Sequence, residues 1–233
     1  MTLPYLSKTV VVEETNHWLL YEPPWQGRGS QERISPTFYT QNVWVGFRIF
    51  LRSRTHEANL HRIFSHCPNA NNIAITGAGL QLLVDAGISS LLKSSNFRIT
   101  VQTAYTHAHD RLFVEGEHCQ NDFLDKITEL NLKTIGDPTT APLDLSRFRF
   151  LSGLTMGYVG QVAEAFLSVI TDIQGITTLQ SIAIGFPRST MTSDKLYVDS
   201  LACRKAEDDR IRIFELPELE LGWEGWYRST VSK

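Results

Sequence analysis

One short phrase recurs along this chain: an apolar residue, two variable positions, an apolar residue, one variable position, and a third apolar residue. It reads Ala70-x-x-Ile73-x-Ile75, then in degenerate form Asn96-x-x-Ile99-x-Val101. It returns as Ile127-x-x-Leu130-x-Leu132, Leu151-x-x-Leu154-x-Met156, Leu179-x-x-Ile182-x-Ile184 and Leu216-x-x-Leu219-x-Leu221. The central apolar residues, 73, 99, 130, 154, 182 and 219, stand 26, 31, 24, 28 and 37 positions apart. The alternating half of the phrase predicts a short strand with one face turned inward. One such unit cannot bury its apolar face alone, so units recurring at this spacing stack into a parallel sheet with a common core. The expected fold class is α/β: an irregular leucine-rich-repeat-like solenoid with a parallel sheet and return helices. A doubly wound α/β domain produces a similar string.

The intervening segments carry helical periodicity. Leu60, Ile63 and Phe64 predict a helix over 58–66, closed by Cys67-Pro68-Asn69. Residues 79–95 place Leu80, Leu83, Val84, Ile88, Leu91 and Leu92 on one face, and 161–173 do the same with Val162, Phe166, Val169, Ile170 and Ile173. Asp122 reads as the cap of a helix over 121–130. The charge run 204–212 reads as a solvated helix with an Asp208–Arg212 pair. TVVVEE (9–14) and the run from Val43 to Phe47 read as strands, and the Pro- and Gly-rich stretch 22–36 as a loop. The expected organisation is one domain over 1–233: an N-terminal strand and loop cap (1–41), a repeat region (42–222) and a C-terminal cap (223–233). In that cap Trp223, Trp226 and Tyr227 close the end of the core.

Charge narrows the partners. Twenty-two basic residues against 25 acidic ones give a formal net charge of -3, which offers no bias toward polyanions. Nucleic acid and membrane are therefore not expected partners. The three cysteines, Cys67, Cys119 and Cys203, form no CxxC pair and no disulfide framework. A reducing compartment, cytoplasmic or nuclear, is the simpler expectation. The apolar window 43–51 is short and contains Arg48, so it does not span a bilayer.

FSHCPNANNIAITG (64–77), FRFLSGLTMG (148–157) and FLSVITDIQGITTLQSIAIGF (166–186) carry a family likeness. They resemble the divergent leucine-rich-repeat region of F-box-like proteins abundant in mushroom-forming fungi, over about residues 42–222. The resemblance implies a substrate-recognition repeat domain that binds a protein. The start MTLPYLSKTVVVEE has Leu3-Pro4, as an F-box does, but runs into a strand, so the likeness implies the repeat part without a recognisable F-box.

Period-2 geometry turns the alternate strand positions away from the core. These are Asn72, Ala74, Thr76; Arg98, Thr100, Gln102; Glu129, Asn131, Lys133; Thr155, Gly157; Ser181, Ala183; Glu218 and Glu220. They form the candidate binding face. Its centre is expected around Asn131, Lys133, Thr155 and Gly157, where the glycine admits a partner close to the backbone. The set is polar, small and mixed in charge, and it lacks the convergent acid and base groups of a catalytic pocket, so no catalytic residue and no cofactor is expected. Two alternatives stand beside it. Gly77-x-Gly79 follows a strand and opens a helix, as a nucleotide-binding loop does, but Leu82 occupies the third glycine position; a turn needing positive φ is the plainer reading. His107, His109, His118 and Cys119 are zinc-type ligands without a recognised spacing. Ser65-His66-Cys67 is adjacent in sequence, unlike a catalytic triad, and Cys67 reads as a small buried turn residue.

Overall fold

The computed structural model describes residues 9–12, 18–21, 40–46, 54–101, 122–135, 145, 147–158, 173–187 and 195–216. Nine strands form one sheet: β1 (Thr9–Val12), β2 (Trp18–Tyr21), β3 (Asn42–Val45), β4 (Asn72–Ile75), β5 (Phe97–Val101), β6 (Ile127–Ile135), β7 (Gly153–Tyr158), β8 (Ser181–Pro187) and β9 (Ile211–Leu216). The order across the sheet is β2-β1-β3-β4-β5-β6-β7-β8-β9. Eight strands run parallel, and β2 joins antiparallel to β1 at one edge. From β3 onward each strand pairs with the next one in the chain. The order reverses once, at β1/β3, where the antiparallel β2 lies outside β1; from β3 to β9 it runs in one direction.

The register aligns the repeat phrases side by side. Val10, Val43, Ile73, Ile99, Leu130, Leu154, Ile182 and Ile211 lie opposite one another across the eight parallel strands. Two residues on, Val12, Val45, Ile75, Val101, Leu132, Met156, Ile184 and Ile213 form a second row. Both rows enter one hydrophobic core, and all but Ile213 are buried. Each such side chain contributes about 1.5–3 kcal/mol by leaving water. The row after Ile182 is completed by Ile211, not by Leu219. The β9 phrase is a plain alternation without the leading apolar residue, so the L-x-x-L-x-L template passed over it. Residues 217–233 lie outside the described ones.

Helix α1 (Arg54–His66) buries Leu60, Ile63 and Phe64 against this core, as the spacing predicts. Cys67 follows in a buried turn: its N–H donates to Ile63 O at 3.0 Å, and its carbonyl accepts from Ala70 N at 3.1 Å. The expected helix over 79–95 is instead two pieces. Helix α2 (Gly77–Asp85) ends at Ala86, and a 3-10 turn covers Ile88–Leu91. Gly87, at φ 68°, separates them. The left-handed conformation stops the α-helix, while the apolar spacing continues through the break, because both pieces face the same core. Asp122 caps no helix: a 3-10 turn over Leu124–Lys126 has no side-chain cap and leads directly into β6. Helix α3 (Lys195–Glu207) ends before Asp208, and the expected Asp208–Arg212 helical pair is replaced by an Asp208–Arg210 pair in a turn. The expected helix at 161–172 lies outside the described residues.

Candidate functional site

The second face of the sheet carries two further rows. One runs Thr9, Asn42, Asn72, Arg98, Glu129, Gly153, Ser181; the other runs Val11, Trp44, Ala74, Thr100, Asn131, Thr155, Ala183, Arg212. These rows change character across the sheet. Val11, Trp44, Ala74 and Thr100 are buried, as are Thr9, Asn42 and Asn72. Asn131, Thr155 and Ala183 are half-buried, and Glu129, Ser181 and Arg212 are exposed. The second face is thus covered over β1, β3 and β4 and opens across β5 to β9.

This corrects the sequence expectation at one end of the sheet. Asn72, Ala74, Thr76 and Thr100 are buried instead of facing solvent. Thr76 acts locally, on its own helix. Its Oγ1 accepts from Gly79 N at 3.2 Å and caps α2. Gly157, expected at the accessible centre, is itself buried, beside Gly185 on β8. Arg98, Asn131, Thr155 and Ser181 stay at least partly accessible, and the open patch gathers them with Glu129, Ala183 and Arg212. Lys133 lies on β6, but its side chain is outside the described residues, as are Gln102, Glu218 and Glu220. Thr9, Asn42 and Trp44 are absent from the face expected from sequence. Their signal is the missing alternation in TVVV and NVWV, since strands covered on both faces read as continuous apolar runs.

Polar residues of the first row bond to their neighbours. Asn42 Nδ2 donates to Thr9 Oγ1 at 3.2 Å, and Asn72 Nδ2 donates to Asn42 Oδ1 at 3.1 Å. On the next two strands Arg98 grips Glu129 as a fork, with Nε 2.6 Å from Oε2 and Nη2 2.9 Å from Oε1. Gly153, the next residue in the row, leaves room for Glu129: a Cβ added there would lie 3.3 Å from Glu129 Cγ.

Arg210 stands at the entry to β9. Its Nη1 donates to the carbonyls of Ile176 and Leu179, both at 3.1 Å, and its Nη2 to that of Gln174 at 2.9 Å. Nη2 also meets Asp208 Oδ2 at 2.7 Å, and Nε meets Asp208 Oδ1 at 2.9 Å. One guanidinium therefore ties the segment leading into β8 to the turn leading into β9. Hydrogen bonding from Arg210 holds the Asp208 carboxyl at about 2, against the usual 3.8, and the same pairing raises Arg210.

The alternative sites look different in three dimensions. Gly77 and Gly79 are buried within the first turn of α2; neither needs a positive φ, and the Gly79 N–H is committed to Thr76. That commitment removes this donor from any phosphate. His107, His109, His118 and Cys119 lie outside the described residues. Among the described residues no three His, Cys, Asp or Glu side chains gather as a metal site, and no helix is long and apolar enough to cross a membrane. No family model, curated protein or solved structure matches the chain.

Proposed function

We propose that the eight parallel strands are rungs of an irregular leucine-rich-repeat-like solenoid, and that its open face over β5 to β9 docks a protein partner. The supporting observation is the in-register row from Val10 to Ile211, in which every strand after β3 pairs with its successor in the chain. Successive members of the row, at 10, 43, 73, 99, 130, 154, 182 and 211, are separated by 33, 30, 26, 31, 24, 28 and 29 residues. That period suits a strand with its return segment and is too short for an independent domain. The likeness to the repeat region of F-box-like proteins points the same way, toward recognition of a protein substrate. Cys67 and Cys203 are in no disulfide, which fits a reducing intracellular compartment.

The open patch supplies hydrogen-bonding and ion-pairing groups across five strands: Arg98, Glu129, Asn131, Thr155, Ser181 and Arg212. A partner laid across several strands gathers most of its affinity from a few central contacts. Thr155→Arg and Ser181→Arg place bulk and charge at that centre while leaving the core rows untouched. Affinity capture from cells, with quantitative identification of the retained proteins, is expected to show at least a tenfold loss of a specific partner for both variants, with unchanged melting temperatures. If both variants fold normally and retain the same proteins at the same yield, the docking face is not on β5 to β9.

A further inference from the structure

The last described strand is an edge without the usual protection. Strand β9 is six residues, IRIFEL, with no proline. It pairs with β8 in one unbroken register, without the irregularities seen between β5 and β6 and between β6 and β7. Proteins blunt an edge with prolines, bulges or inward charges, because a bare row of N–H and C=O groups templates a further strand. The direction of that row follows from the ladder. Ile182 N donates to Arg210 O at 2.9 Å. In a parallel pair alternate residues bond to the same neighbour. Arg210, Arg212 and Phe214 therefore face β8, and Ile211, Ile213 and Glu215 turn their backbone outward. The Ile211 N–H is spent on Asp208 O at 3.0 Å. Ile213 and Glu215 offer both groups outward, and no described strand lies beyond them.

The side chains of β9 complement one another. Ile213 is the one member of the two core rows that is not buried. On the second face Arg212 is exposed and Phe214 half-buried. We propose that β9 pairs antiparallel with β9 of a second copy of this chain, about a two-fold axis that passes through Ile213 normal to the sheet. Such an axis keeps like faces together. On the core side Ile213 meets its own copy, which covers the apolar surface that the row leaves open. On the other side Arg212 stands opposite Phe214 of the second copy, and the reverse, so each guanidinium has a ring to lie on. Ile213 exchanges both backbone bonds with its copy, and each Glu215 N–H reaches the other chain's Ile211 O. The contact is self-complementary, so it closes at two chains. The same axis sets the two open patches over β5 to β9 side by side on one surface. The inference rests on strand pairing and stands apart from the docking reading above.

The test is the mass of the full chain by sedimentation equilibrium, from about 5 to about 500 μM. So short an edge is expected to pair with a dissociation constant of about 10–100 μM. The wild type is expected to rise from 26.4 kDa toward twice that mass and to stop there. Ile213→Pro removes an outward N–H and no bond to β8, so it is expected to fold and to stay at 26.4 kDa. Arg212→Glu, at an exposed position, covers the case in which the proline variant does not fold; it is expected to weaken pairing about fivefold. Hydrogen exchange resolved to single amides reads the edge directly. Ile213 and Glu215 are expected to exchange about threefold more slowly at the higher concentration, while Arg212 and Phe214, bonded to β8, stay unchanged. A wild type that remains at 26.4 kDa overturns the proposal, as does an Ile213→Pro that pairs as well as the wild type. Exchange at Ile213 and Glu215 that does not vary with concentration overturns it too. A mass that climbs past two chains overturns the two-fold arrangement, since only an open-ended contact grows.

Discussion

Neighbouring residues on one strand meet opposite environments. Leu154 and Ile182 lie in the shared core at 1% and 0% exposure, whereas Thr155 and Ala183, one position on, are half-buried on the second face. An aspartate at 154 or 182 places a charge in the core with no partner, so Leu154→Asp and Ile182→Asp are expected to cost about 4 kcal/mol or more. Thr155→Asp and Ala183→Asp are expected to cost about 1 kcal/mol or less. Urea unfolding of the four variants reads both outcomes, and equal losses at 154 and 155 would remove the strand assignment. Asp208 gives a pH-dependent counterpart. Its folded-state value, about 2, lies below the ordinary 3.8, so its contribution is complete above about pH 4 and disappears as pH falls toward 2. Asp208→Asn is expected to be less stable than wild type at pH 7, with the difference vanishing by about pH 2. Melting curves across that range check the sign; a difference that grows on acidification would contradict it.

At the scale of elements, what ends each helix matters as much as what drives it. Helix α2 starts at the Thr76 cap and stops before Gly87, whose φ of 68° an ordinary side chain adopts only with strain. A Cβ at Gly87 would meet nothing within 4 Å, so the cost of Gly87→Ala is conformational alone. It is expected to be about 1 kcal/mol, with Gly87→Asn milder because asparagine tolerates this region. Thr76→Val removes the cap and is expected to cost about 1–2 kcal/mol. Chemical unfolding of these three variants ranks them. If Gly87→Asn proves as harmful as Gly87→Ala, the left-handed break is not what separates α2 from the following turn.

Across the whole molecule, sequential parallel pairing means that each strand from β4 to β8 is held by its two neighbours in the chain. A strand at the edge has one such neighbour and an interior strand two, so the ends are expected to open before the middle. Strand β9 is held on one side by β8 among the described strands, and by the Arg210 tie to Gln174, Ile176 and Leu179. Arg210→Met is expected to speed amide exchange on β9 at least tenfold while leaving β4 to β6 within twofold of wild type. Hydrogen exchange resolved by residue reads this directly. Uniform acceleration across all strands would mean that the sheet opens as one cooperative unit.

The sequence by itself determined the strands from β4 to β8, because an apolar residue every second position can satisfy only one face of a strand. Five central residues, from Ile73 to Ile182, fall into one row in the order in which they are written. It also determined the inner stripe of α1, through Leu60, Ile63 and Phe64. Tertiary structure decided what covers the other face. Asn72 and Thr76 resemble Asn131 and Thr155 in sequence, yet the first two are buried and the last two partly open. Polar side chains carry no mark of their burial when they bond to one another across strands, as Thr9, Asn42 and Asn72 do over 30 or more residues of chain. The ninth strand was hidden for a similar reason. Ile211 belongs to the row through its register with Ile182, and register is a relation between distant segments that no local spacing states.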